Sequence, residues 1–188
     1  MCSSDLLKKL PAFEDAAAEE RALDLVAEHD DLQEALWFLL HWPEPRRAAR
    51  LVLATPKPLN GDCYVLLAPL AELLEKDHPL AATCCLRAMI DFSLRVGRSK
   101  RYPHAARHFH TCHILARGIK SWGDLSDHRT YAAQLRRDHG RKCGFWSLVP
   151  KEVAPESEPA KHGKASQLES PGEPASPTAS DGPMQPGL

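Results

Sequence analysis

No run in this 188-residue chain approaches the ~20 consecutive apolar residues of a membrane-spanning helix, so helical spans are not expected. The start has no charged region followed by an apolar one, so no secretory leader is expected either. β-branched residues nowhere alternate in runs, and no Asn-Gly or Asp-Gly dipeptide joins two such runs, which argues against a sheet. The six cysteines (positions 2, 63, 84, 85, 112 and 143) include no Cys-x-x-Cys pair. Cys84 and Cys85 are adjacent in a predicted helix, where they point about 100° apart. Free thiols in a reducing cytoplasm are the expectation. Also missing are His-Glu-x-x-His, a phosphate-binding P-loop, Gly-x-Gly-x-x-Gly, Gly-x-Ser-x-Gly and any paired acid/base carboxylates. Catalysis therefore has no motif to rest on, and no catalytic residue or cofactor is expected.

What is present divides sharply at Val149/Pro150. Beyond it Pro, Ser, Glu and Gly dominate, without a single Trp, Tyr, Phe, Ile or Cys. Such a segment buries too little apolar surface to offset chain ordering, so residues 150–188 are expected to be disordered. Residues 7–149 are rich in Ala and Leu and long enough for a core. The overall net charge of −1 hides an asymmetry. Residues 1–96 carry 10 Lys/Arg against 16 Asp/Glu, whereas residues 97–149 carry 11 against 3. The basic block either meets the acidic half inside the molecule or faces an acidic partner. Met1-Cys2-Ser3-Ser4-Asp5-Leu6 resembles one reading frame of a sequencing-library adapter. Residues 1–6 are thus expected to be an assembly scar, and the rest the C-terminal part of a longer protein.

Helical signals fill the remainder. Residues 14–28 are rich in strong helix formers. Asp31-Leu32-Gln33-Glu34 has the form of a capping box, with Asp31 as N-cap and Glu34 reaching back. The helix it opens stops at Pro43, and Pro45 opens another running to Ala54. Residues 62–77 read as a helix that Pro69 should kink or restart. Pro79–Val96 is the clearest amphipathic helix. Its predicted buried arc is Ala82, Cys85, Leu86, Met89, Ser93 and Val96, with Arg87, Asp91 and Arg95 as a solvated ion ladder opposite. Residues 103–119 bury Ala105, Phe109, Cys112 and Ala116. Asp127 caps a last helix with Tyr131 and Leu135 inward, and Gly140 is placed as a left-handed C′ residue. Phe145, Trp146, Leu148 and Val149 are expected to fold back over the open end. Paired alanines open three helices (Ala48-Ala49, Ala81-Ala82, Ala105-Ala106), a weak internal repeat that would let neighbouring backbones approach.

The histidines invite a metal reading. His104 and His108 share one helix face, His110 and His113 another, and Cys112 continues the first line; such spacings can ligate zinc or nickel. No carboxylate stands near to orient an imidazole, so packing and surface roles are the expectation and no metal is assigned. Arg136, Arg137, His139, Arg141 and Lys142 cluster at the end of the last helix. Cations favour the negative end of a helix dipole, the commoner reason for such a cluster, and they could also contact phosphates beside Trp122, Tyr131 or Trp146.

With Tyr102-Pro-x-Ala-Ala-Arg107, the Tyr131 to Lys142 segment and the Phe145-Trp146 ending, residues 7–149 resemble an uncharacterised bacterial family. That family is similar in turn to the helical region that follows the zinc finger in SWIM zinc-finger proteins. The resemblance implies an all-α, tetratricopeptide-like array of helical hairpins, a short α-solenoid, with no established activity. The SWIM ligands, Cys-x-Cys followed by Cys-x-His, are absent, so neither zinc nor DNA binding carries over. The expected function is a non-catalytic scaffold that holds a protein partner through His104, Arg107, His108, Arg136, Arg137, Arg141 and Lys142. A nucleic-acid accessory module using the basic end is the alternative.

Overall fold

A computed structural model describes residues 12–55 and 58–155, with side chains from residue 17 onward. The adapter-like residues 1–6, and residues 156–188 of the Pro/Ser/Glu-rich tail, lie outside the described residues. Eight α-helices and no strand occur among those described. They are α1 (Ala12–Ala27), α2 (Leu32–His41), α3 (Pro45–Ala54), α4 (Tyr64–Leu74), α5 (Pro79–Val96), α6 (Tyr102–Ala116), α7 (His128–His139) and α8 (Cys143–Trp146), with a 3-10 turn at Ser99–Arg101. No helix among the described residues is long and apolar enough to cross a membrane.

The local signals act where the chain places them. Asp31 accepts hydrogen bonds from the Gln33 and Glu34 amides at 2.8 and 3.4 Å, ending two of the orphan donors of α2. The reciprocal half of the box differs from expectation. The Asp31 amide donates to His29 Nδ1 at 3.1 Å, and Glu34 faces the His29 ring instead of reaching back. Asp127 caps α7 by accepting from the Thr130 amide at 2.7 Å. Gly140 is right-handed (φ −55°), so it is not the left-handed C′ residue; Gly97, after α5, takes that role with φ +73°. There the Arg98 amide reaches the Ser93 carbonyl at 3.1 Å, closing the helix.

Pro69 neither breaks nor restarts α4. The bond it removes would have gone to the carbonyl of Val65, a residue on the exposed side of the helix, while Leu66, Leu67, Leu70, Ala71 and Leu74 hold the opposite side in the core. α5 is the central element, with its broadest contacts to α4 and α6 and a further face on α3. That explains why its buried set exceeds one arc. Ala81, Thr83, Arg87, Ile90 and Leu94 are buried beside the expected residues, and Val96 is exposed. The ion ladder is therefore corrected: Arg87 points into the protein. All six paired alanines are buried, at helix starts where a larger side chain would hold the neighbours apart.

α8 closes the last helices. Phe109 meets Phe145 and Trp146 edge-on at 6.2 and 6.0 Å between ring centroids, and Tyr102 meets Phe145 likewise. Val149 joins them in the core, whereas Leu148 is exposed. The compositional boundary at Val149/Pro150 is not where packing stops. The Val153 and Ala154 amides turn back onto the Pro150 carbonyl at 3.0 Å, and both side chains rest on the core.

Candidate functional site

α4, α5 and α6 frame a groove of about 510 Å³. Leu86, Met89 and Ser93 of α5 form its floor. One wall is α4 with its C-cap residue, presenting Ala68, Ala71, Glu72 and Glu75; the other is α6, with His104, Arg107, His108 and Thr111. The small residues on α4 and Ala105 on α6 leave room between the walls. The expected contact residues His104, Arg107 and His108 are thus brought together, and opposite them stands an acidic pair that the sequence reading did not include.

Within the groove the polar groups are organised. Arg107 Nη2 donates to His104 Nδ1 at 2.7 Å. Burial, with His104 and Arg107 beside it, pushes the His108 imidazole down to about 4, so His108 is neutral at physiological pH. Burial, then the neighbouring Glu72, pushes the Glu75 carboxyl up. The Ser93 hydroxyl is committed to the Met89 carbonyl at 2.8 Å. At the groove's end Arg101 lies over Tyr64 (4.7 Å) and, with Arg98, donates to Asp62 at 2.9 Å. These two ion pairs join the basic block to the acidic first half inside the molecule. Such an arrangement offers carboxylates on one side and guanidinium and imidazole groups on the other, to a chain laid between them.

The basic end at α7 is a separate place. Arg136 is half-buried with its guanidinium over the Trp146 ring at 4.6 Å. Arg137 and Arg141 are exposed, and Lys142 is half-buried. None of these four lines the groove. Cys112, aligned in sequence with His104 and His108, is fully buried, and burial pushes its thiol up to about 12, as it does Cys85. Both are core residues without thiolate character. Among the described residues no three His, Cys, Asp or Glu side chains gather as metal ligands.

A second polar cluster was missed by the sequence reading. Arg87 is sandwiched between Tyr131 (4.3 Å) and Trp122 (4.9 Å), and its Nη1 donates to the Ser126 carbonyl at 2.8 Å. The Tyr131 hydroxyl donates to Asp91 at 2.7 Å. Burial pushes the Tyr131 phenol well up, and pushes the Asp91 carboxyl up against the lowering from Tyr131 and Arg87. Beside them His128 is buried among Phe109, His113 and Tyr131, at 5.1, 5.4 and 6.5 Å. Burial first, then Arg87 and His113, pushes its imidazole down to about 4. The available signal was in α5: Ile90 and Leu94 fall outside the single predicted arc and mark a second buried face, the one on which Arg87 sits.

No curated protein and no solved structure matches the chain. Residues 4–148 match the model described as a family of unknown function (DUF6880), and the chain belongs to that family.

Proposed function

We propose that this protein is a non-catalytic interaction scaffold, a tetratricopeptide-like array of helical hairpins that holds a partner segment in the groove over α5. The carrying observation is the groove itself, with Glu72 and Glu75 on one wall and Arg107, His104 and neutral His108 on the other. A partner segment with charges of both signs would find complementary groups on each side, and the small floor-side residues leave space for its backbone. Two features support the array. Helices touch the next but one as well as the next (α2 with α4, α3 with α5), as stacked hairpins do. The buried alanine pairs recur at the starts of α3, α5 and α6. The partner remains a protein of unassigned identity.

A nucleic-acid accessory role stands second, favoured by the exposure of Arg137 and Arg141 at the end of α7. The two separate by experiment. Affinity capture from the source organism is compared between the native chain, a groove variant (Glu75→Lys with Arg107→Glu) and an α7-end variant (Arg137, Arg141 and Lys142 to Ala). The scaffold reading expects a protein partner lost with the groove variant and kept with the other. Capture indifferent to the groove variant refutes it. Salt-sensitive RNA or DNA binding lost only in the α7-end variant establishes the second reading instead.

A further inference from the structure

The large majority of buried polar side-chain atoms are paired, so those left over call for an explanation. Among the described residues they are Arg87 Nε and Nη2 and both ring nitrogens of His128. Arg87 is otherwise engaged by two aromatic faces and a carbonyl. The His128 ring makes no hydrogen bond among the described residues, although the residue is only 7 % exposed.

His128 lines a cavity of about 440 Å³ between the end of α6, the start of α7 and the turn at residues 153–155. That volume lies within the usual range of small-ligand sites. Its walls are chiefly apolar: Ala116, Val153 and the Trp122 indole, which Arg87 holds from 4.9 Å. At the rim stand Arg117 and Arg129, both exposed and neither in an ion pair among the described residues. The one carboxylate there among the described residues, Asp127, is held low by its bonds to Thr130 and belongs to the cap of α7. A flat apolar wall, an unpartnered imidazole that both donates and accepts, and two uncommitted guanidiniums describe one kind of occupant.

We propose that this cavity binds a small organic anion with a flat apolar body. The body lies against Trp122 and Val153, the carboxylate is held by Arg117 and Arg129, and a polar edge meets the His128 ring. This site is distinct from the groove over α5 and does not depend on the scaffold reading.

The test uses the full chain and sodium 4-hydroxybenzoate as probe, whose hydroxyl supplies the polar edge, with sodium sulfate at matched ionic strength. The His128 ring nitrogens are followed by histidine-selective NMR, assigned with His128→Gln. The expected result is a saturable probe-induced shift at His128, with affinity weakened at least about tenfold by Arg117→Glu with Arg129→Glu. Both rim residues are exposed, so that variant should melt at the native temperature, which a melt verifies. A shift that does not saturate, that sulfate reproduces (an adventitious ion only), or that the rim variant leaves unchanged overturns the proposal. So does saturation that moves other histidines but leaves His128 still.

Discussion

Gly61 sits in a loop that reads as ordinary, yet it touches the central helix. A Cβ placed there would lie 1.9 Å from the Ala88 carbonyl oxygen and 2.6 Å from both the Ala88 carbonyl carbon and the Phe92 Cβ. Since comfortable contacts begin near 3.5 Å, Gly61→Ala must push the loop off α5 by roughly 1.5 Å. The obstruction is backbone, which cannot swing aside as a side-chain tip would. Overpacking of this kind costs about 1–3 kcal/mol. Shifting the neighbouring Asp62 away from Arg98 and Arg101 adds up to about 1 kcal/mol. Against these, alanine restricts the unfolded chain and returns about 0.4–1 kcal/mol. Because backbone obstructs the added methyl, the clash falls in the upper part of that range, and the net expectation is a loss of roughly 2–3 kcal/mol. At about 2–4 °C per kcal/mol for a domain of this size, Tm falls by roughly 5–10 °C. Urea denaturation followed by circular dichroism measures it, with Gly97→Ala as reference. That site has a left-handed backbone, but an added Cβ would meet only the tip of Lys142 at 3.8 Å, so its cost is about 1 kcal/mol. If Gly61→Ala costs no more than Gly97→Ala, or stabilises, the loop does not rest on α5 and the end of the groove is open.

Acid should weaken the fold through two histidines. His108 and His128 are held at about 4 in the folded state against an ordinary 6.5. The unfolded chain therefore takes up protons first, so their stabilisation is present above about pH 6.5 and is lost as pH falls towards 4. Together, with solvent screening of the half-buried His108 allowed for, they should lose roughly 2–3 kcal/mol between pH 7 and pH 5, while the raised Glu75 and Asp91 carboxyls act in the opposite sense as pH falls. Urea melts across that range check it, and a flat profile would contradict the burial of both rings. Replacing Arg87 separates packing from charge. Arg87→Ala should cost about 3 kcal/mol, whereas Arg87→Met should recover most of that by filling the space between Trp122 and Tyr131. Equal losses in equilibrium denaturation would show that the guanidinium charge itself holds the loop.

Residues close in sequence settled much of this protein without help from the fold. Asp31 and Asp127 cap helices because a short carboxylate can reach amides two or three residues ahead. Pro79 and Gly97 bound α5 because each has a backbone preference that starts or ends a helix. His104, Arg107 and His108 could be grouped because helical spacing alone puts them on one side of α6. The tertiary structure decided what such spacing cannot. A helix touched by one neighbour buries one arc, but α5 packs on α3, α4 and α6 and is covered on a further face by the segment from Trp122 to Tyr131, which turned Arg87 from a surface ion into a buried cation. It set Glu72 and Glu75 across from the histidines, and it put Gly61 against Ala88. It also gathered Arg87, Trp122 and Tyr131, which are far apart in the chain. Each of these contacts depends on how whole helices pack, a property of all their side chains at once, so no local pattern carries it.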